Sequence, residues 1–260
     1  MTRQNFYKQR CLRSRRAVND GLIVELVACE RAVQPCLGGR KLLHLLRADL
    51  VEAGVRIGRD RFFEVLREHE LLIHRKVRSA RTTDSRHGMR VYANLLSELE
   101  LSEPHQALVS DITYLRTETG FVYLCLVMDA FSRKIVGFDC SDTLEREGAL
   151  RALGQALRQL PAGHSAIHHS DRGSQYCCGD YVAKLRQAGV GISMTQENHC
   201  YENAKAERLN GILKQEYGLS SRFSDPAEAR RAVREAVLLY NHRRPHQSLG
   251  YATPMQVHAA

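Results

Sequence analysis

Eight cysteines are scattered through the 260-residue chain with no CxxC pair and no regular spacing. That pattern excludes a disulfide scaffold and leaves reduced thiols of an intracellular protein. Cys125, inside the apolar run Phe121–Met128, reads as a small hydrophobe. His168, His169, Cys177 and Cys178 include zinc-type donors, but adjacent residues on a strand point to opposite faces and do not close one tetrahedron. Long apolar runs are also missing. The longest, Phe121 to Met128, has eight residues, too short to cross a bilayer. The start, Met1-Thr2-Arg3-Gln4, leads into basic residues rather than an apolar signal segment. Internal repeats and low-complexity tracts are absent. A soluble, cytoplasmic protein with no membrane partner is expected.

What the chain does have is length and basic charge. At 260 residues it can bury a real core, so it is neither a mini-protein nor wholly disordered. Lys and Arg number 38 against 29 Asp and Glu, a formal net charge of +9, and 43% of residues are apolar. The excess is local: residues 1–90 carry 20 basic and 10 acidic side chains, whereas residues 91–260 carry 18 and 19. A front third at +10 on a near-neutral body reads as a module facing a polyanion, nucleic acid first, or else as solvated surface.

Residues 21–33 read as a short helix around Leu22, Ile23, Leu26 and Val27. A second helix is expected over about 39–53, with Leu42, Leu46 and Leu50 four apart, until Gly54 breaks it. A third begins near Gly58-Arg59-Asp60 and should bury Phe62, Val65, Leu66 and His69. Arg59 and Arg61 at its start make the pair either a helix-turn-helix that contacts DNA or a helical hairpin with a basic face. Residues 1–77 are thus expected to form an all-helical, helix-turn-helix-like domain. Residues 78–104, opening with the basic stretch Arg78–Arg90, are expected to form an extended linker.

The period then changes. Val109–Arg116 and Phe121–Ala130 are apolar, β-branched runs separated by the hairpin signal Thr117-Glu-Thr-Gly120, and Arg133–Cys140 follows as a third strand. Thr143–Leu160 reads as a helix with a buried stripe of Leu150, Leu153, Leu157 and Leu160. Strand Ser165–His169, helix Gln175–Ala188, strand Val190–Met194 and a helix over about 201–217 complete the pattern. This order predicts an α/β fold over 105–220, a ribonuclease H-like mixed sheet flanked by helices. In the last segment, 221–260, Asp225-Pro226 with Glu228 three residues after the aspartate announces one more helix with a capping box.

Three carboxylates stand out. Asp111 sits mid-strand on the same face as Val109, Thr113 and Leu115, where a carboxylate is costly unless it meets a cation. Asp171 lies where a strand ends and a turn begins, the place where open α/β sheets bind ligands. Glu207 lies on the polar face of the late helix, with Asn203 one turn before it and Lys214 two turns after, while Leu209, Leu213 and Tyr217 cover the core side. Asp129 and Asp139, also at strand ends, read as turn residues. What joins the three is spacing: 35 residues separate Asp171 from Glu207, and Lys214 follows seven later.

Those residues carry a resemblance. Asp111-Ile-Thr-Tyr114, His169-Ser-Asp-Arg-Gly-Ser-Gln-Tyr176, Asn198-His-Cys-Tyr-Glu-Asn203 running to Glu207, and Tyr240-Asn-His-Arg-Arg-Pro-His246 with Leu249-Gly250 occur in that order. Arg81-Thr-Thr83 and Asn94-Leu95 precede them. The chain resembles the catalytic, second-frame product of two-frame bacterial insertion-sequence transposases, of the retroviral-integrase-like Asp-Asp-Glu superfamily. It departs from the pattern just before Asp111, where Leu108-Val109-Ser110 replaces the usual aromatic residue; the whole chain has no Trp.

The resemblance implies a DNA transposase that cleaves element ends with two divalent ions, Mg2+ or Mn2+, and transfers the exposed 3′-hydroxyl into target DNA without a covalent enzyme intermediate. In it Asp111 bridges the ions, and Asp171 and Glu207 hold one each. Hard oxygen ligands suit such ions, and without them three converging carboxylates repel one another and raise their own pKa values. Lys214 is expected on element-end phosphates. Lys205 is expected either there or as an exposed lysine. His242, Arg243, Arg244 and His246 are expected either to touch DNA or to close the last helix. Double-stranded DNA, a homo-oligomer on DNA, fusion or association with the upstream-frame product, and a nucleoid-associated location complete the implied picture. The alternatives are a ribonuclease H-like nuclease that cuts without joining and a DNA-binding repressor with an inert core. A tyrosine recombinase would need a Tyr near an Arg-His-x-x-Arg cluster, which the sequence lacks.

Overall fold

The structure is a computed structural model that describes residues 3–73, 88–97, 99–196 and 203–260. The basic stretch 78–87, with Arg81-Thr-Thr83, and the motif Asn198–Glu202 lie outside the described residues. The chain divides into two units, Met1–Lys76 and Val77–Ala260.

The first unit is helical: α1 (Arg3–Val33), α2 (Gly39–Leu45), α3 (Arg47–Glu52) and α4 (Arg59–Glu68). Its core gathers Ile23 and Val27 of α1 with Leu42, Leu46, Leu50, Phe62, Val65 and Leu66. Helix α1 is far longer than the expected 21–33. Arg3–Asn19 contains no Gly or Pro and is rich in good helix formers. Among the described residues it buries no side chain, so apolar periodicity marks only the packed half. The expected helix over 39–53 is two helices meeting at Leu46. Gly54 ends α3 with φ +74: its N–H donates to Val51 O at 3.0 Å, and Val55 N–H donates to Leu50 O at 2.7 Å, the paired bonds of a left-handed glycine stop. His69 is exposed rather than buried, because α4 ends at Glu68 and the chain turns away from the core.

The second unit is built on one mixed sheet. Strands β1 (Ala107–Thr117), β2 (Gly120–Asp129) and β3 (Ile135–Ser141) form an antiparallel meander. Strands β4 (Ile167–Ser170) and β5 (Gly191–Met194) add in parallel on the other side of β1, in the order β3-β2-β1-β4-β5. Two-residue β6 (Arg222–Phe223) pairs with the far end of β1. Helices α5 (Arg146–Leu157), α6 (Ser174–Cys177) and α7 (Gly179–Gln187) share one core with Leu108, Cys125, Val127 and Val136. On the opposite face, α8 (Ala204–Glu216) and α9 (Pro226–His242) pack over Val109, Leu115, Leu124 and Leu126.

Five sequence expectations change here. Helix α5 buries Ala149, Ala152, Leu153 and Ala156 rather than a leucine stripe; Leu150, Leu157 and Leu160 are only partly buried. The small face lets α5 approach β3 so closely that a side chain at Gly137 would collide with the Ala152 carbonyl. The expected helix 175–188 is broken at Cys178, whose extended backbone (ψ 150) separates α6 from α7. Residues 221–260 are part of the same unit, since Ala229, Val233, Ala236, Val237 and Tyr240 belong to its core. Asp225 caps α9 by accepting from Glu228 N–H, but the Glu228 carboxylate accepts from Ser224 instead of completing the box. The complete box is at Thr253–Gln256, starting α10 (Pro254–Ala259), which periodicity did not reveal. The end of the expected linker is docked: Met194 N–H donates to Ala93 O at 3.4 Å and Leu95 N–H to Ser193 Oγ at 2.8 Å.

Candidate active site

Parallel pairing of β1 with β4 stops at Val109↔His169. Asp111 and Asp171 each lie two residues beyond that last rung, one continuing along β1 and the other entering a turn. The strands part there, and the opening between them is a cavity of about 360 Å3 lined by both aspartates.

Each aspartate is held locally. Asp171 Oδ1 accepts from Gly173 N–H at 3.0 Å, while Arg172 Nε donates to Thr195 O at 2.8 Å and pins the turn to the end of β5. Asp111 Oδ1 accepts from Ile112 N–H at 2.9 Å, and Asp111 Oδ2 accepts from Asn210 Nδ2 at 2.7 Å. Asn210 is on α8, one turn after Glu207 and one before Lys214. One turn before Glu207, buried Asn203 donates from Nδ2 to Ser110 O at 3.0 Å. Helix α8 is therefore tied to β1 on both sides of Glu207, which stands exposed on its outer face.

The electrostatics link all three carboxylates. Burial first, then Asp171 and more weakly Glu207, push the Asp111 carboxyl up to about 7, against the bonds from Asn210 and Ile112. Glu207 is raised by burial and then by Asp171. Lys214 is lowered by burial, with Asp111 opposing that shift, and its Nζ stands 4.8 Å from the centre of the Tyr114 ring. Among the described residues, no three His, Cys, Asp or Glu side chains are gathered so as to hold an ion as they stand. The donor chemistry nonetheless fits a hard cation: two aspartates line one cavity, and an exposed glutamate within their electrostatic reach suffers the same repulsion.

The other expected residues scatter. Lys205 Nζ donates to Ala130 O at 3.4 Å. Arg59 pairs with Asp60. Arg61 pairs with Asp20, Glu64 and Glu68, an ion network inside the helical unit. Arg243 is exposed at the end of α9. Arg244 takes the structural option: it is 4% exposed and donates from Nε and Nη2 to the two Glu216 oxygens at 2.8 and 2.9 Å, joining α9 to α8. His246 is buried against the Tyr240 ring.

Asp129 and Asp139 are turn and pairing residues. Asp129 accepts from His105, Phe131 and Ser132, and Asp139 accepts from Arg151. His168 Nε2 meets Ser110 Oγ and Tyr181 Oη, while His169 Nδ1 meets Ser193 Oγ. Asn210 was missed by sequence reasoning; its signal was an amide on the buried side of α8, three residues from Glu207.

The sequence matches a model described as an integrase core domain over residues 102–200 and a second model of the same description over residues 188–254. A 31 kDa protein of insertion element IS600 from Shigella sonnei is 34% identical over 242 residues, covering 92% of this chain and 88% of that one. The transposase of IS629 from the same organism is 32% identical over 212 residues, 81% of this chain and 71% of its own. Among solved structures, the simian T-cell lymphotropic virus intasome in complex with the PP2A regulatory subunit B56 gamma aligns over 85% of this chain and 74% of that one, with a TM-score of 0.52 at 17% identity. That likeness is one of fold: a mixed sheet with helices of the integrase, ribonuclease H-like kind.

Proposed function

Because this chain belongs to the bacterial insertion-sequence transposases of the integrase superfamily, we propose that Asp111, Asp171 and Glu207 are its catalytic carboxylates, cutting element ends and joining them to target DNA. The observation that carries the reading is the parting of β1 and β4 two residues before each aspartate, supported by the Asn203 and Asn210 tethers that hold the Glu207 segment of α8 to β1.

The carboxylate donor set suits divalent metal ions. When bound, two magnesium ions, for which manganese substitutes, supply the positive charge that attacking and leaving oxygens of a phosphodiester need together. Asp111, Asp171 and Glu207 would hold those ions. Ionised carboxylates are needed for that, and the raised Asp111 and Glu207 groups lose their protons most readily when a cation offsets their repulsion. Asn210 fixes one Asp111 oxygen by donating to it, which leaves Asp111 in a set orientation. Lys214 would hold an element-end phosphate; its position over the Tyr114 ring and under the electrostatic influence of Asp111 supports that role.

The family acts on DNA, and the basic first third suits its backbone. The front of α1 carries that role better than Arg61. Arg3, Lys8, Arg10, Arg13, Arg15 and Arg16 are exposed, have no acidic neighbour before Asp20, and make no ion pair among the described residues. Lys205 and Arg243 are secondary candidates. Action as a homo-oligomer on DNA, fusion or association with an upstream-frame product, and a nucleoid location belong to the same proposal. No helix among the described residues is long and apolar enough to cross a membrane. The test is incubation of pre-cleaved element ends with target DNA in magnesium or manganese. Joined products support a transferase, nicks without joining would leave a nuclease, and binding without either would leave a repressor.

A further inference from the structure

The parallel ladder between β1 and β4 ends at Val109↔His169, before Asp111 and Asp171 are fixed relative to each other. Ser110 is the one residue between that last rung and Asp111. Alternation turns its side chain away from the Asp111 face, to the face of Leu108 and the core shared with α5, α6 and α7. Ser110 is 1% exposed and does not line the cavity.

From that position Ser110 bonds both of the other carboxylate-bearing elements. Its Oγ lies 2.7 Å from Nε2 of His168 on β4, three residues before Asp171, and Tyr181 Oη of α7 meets the same nitrogen at 2.9 Å. The Ser110 carbonyl oxygen accepts from Asn203 Nδ2 at 3.0 Å, at the start of the helix that bears Glu207. His168 and Tyr181 are buried, and the His168 ring is fixed edge-on to Tyr181 at 5.4 Å and tilted against Tyr176 at 6.2 Å. The neighbours on this face, Leu108, Cys125, Val127 and Val136, are apolar. An apolar side chain at 110 would pack among them without the cost of burying a hydroxyl. What apolar contact lacks is direction, whereas a satisfied buried hydrogen-bond network fixes one arrangement of the elements it joins.

We propose that Ser110 is a positioning residue: it ties β4 through His168, and α8 through Asn203, to the residue before Asp111, and so sets the spacing at which the three carboxylates receive divalent ions. The hydroxyl acts through His168 and touches neither DNA nor metal. A metal-binding constellation has to be held within about 0.5 Å of its working geometry, and these bonds supply that hold where the ladder has ended. The inference rests on the reading of Asp111, Asp171 and Glu207 as the catalytic carboxylates.

The test is manganese binding by the full chain, read by electron paramagnetic resonance as loss of the free-ion signal, beside thermal unfolding without metal. Ser110→Thr keeps the hydroxyl, and Ser110→Val has the same shape without it. The threonine variant is expected to bind manganese as the wild type does, and Ser110→Val and Ser110→Ala about ten-fold more weakly. Asn203→Ala, which frees α8 from the same residue, weakens binding as well. Tyr181→Phe takes a hydroxyl from the same His168 nitrogen, but from a helix that bears no carboxylate. It therefore lowers the melting temperature and leaves manganese affinity unchanged. Ser110→Ala leaves only a small void, so it carries the comparison if the branched pair does not fold. Wild-type manganese affinity in Ser110→Ala, with only the melting temperature lowered, overturns the positioning role. So does a folded Ser110→Thr that binds no more tightly than Ser110→Val. Asp111→Asn reads the carboxylates separately. If it weakens binding while Ser110→Ala does not, only the positioning role falls; if it binds as the wild type does, the carboxylate reading falls and takes the positioning role with it.

Discussion

Asn210 donates from Nδ2 to Asp111 Oδ2 at 2.7 Å, a bond between a helix and a strand 99 residues apart in sequence. It fixes a carboxylate that burial and Asp171 would otherwise leave more fully protonated. Asn210→Ala is therefore expected to raise the magnesium concentration for half-maximal strand joining about ten-fold or more, the usual scale for losing a partner behind a metal ligand. A magnesium titration of joining reads this directly. An unshifted titration midpoint would make Asn210 merely structural.

The salt dependence of DNA binding locates the basic grip. Replacing Arg10, Arg13, Arg15 and Arg16 with Gln should flatten the log–log slope by about 0.9 for each phosphate that is no longer neutralised. Arg61→Gln should instead lower the melting temperature, because that side chain holds Asp20, Glu64 and Glu68. The opposite pattern, a flattened slope for Arg61→Gln alone, would return DNA contact to the helix-turn-helix-like pair.

Acid sensitivity follows from buried His168 and half-buried His258, both held neutral. Burial, and then neighbouring His169, hold His168 down to about 3; burial, then Lys134, hold His258 down to about 4. The unfolded chain binds these protons near 6.5, so the stabilisation is complete above that pH. It is lost as pH falls toward the folded values, at up to about 1.4 kcal/mol per pH unit for His168 and less for half-buried His258, whose charge solvent screens. Urea unfolding between pH 5 and 8 should show the loss beginning below about 6.5, with a shallower slope in His258→Gln. Stability independent of pH across that range would contradict the assignment.

Gly137→Ala is a packing test. Its new methyl would meet the Ala152 carbonyl on α5, with little room for backbone to yield, and a loss of about 3 kcal/mol or more is expected. Denaturant unfolding measures it. A change below about 1 kcal/mol would mean that α5 shifts freely on the sheet.

The sheet was legible because alternation and the Thr117–Gly120 turn act locally; Asp171 stood out because it follows the end of a strand pattern, and Asp111 because it puts a carboxylate on an apolar strand face. Helix α5 was misread because its contact face, apart from Leu153, is alanine and glycine, which leave little apolar periodicity. The front of α1 left no periodic trace because, among the described residues, none of its side chains is buried. For Arg244 the sequence left both DNA contact and closure of the last helix open, because its partner Glu216 is 28 residues away. Asn210 and Ser110 were hidden for the same reason: their roles depend on which strands and helices meet, a matter of topology rather than local pattern.

The most direct measurement is strand joining of pre-cleaved element ends by Glu207→Gln beside the wild type, with DNA binding recorded for both. Glutamine keeps the size and exposure of the side chain but removes its charge, so binding should be unchanged. Joining should fall by at least the order of 10²–10³ that follows removal of one electrostatic stabiliser. Joining by Glu207→Gln at near the wild-type rate would contradict the three-carboxylate account.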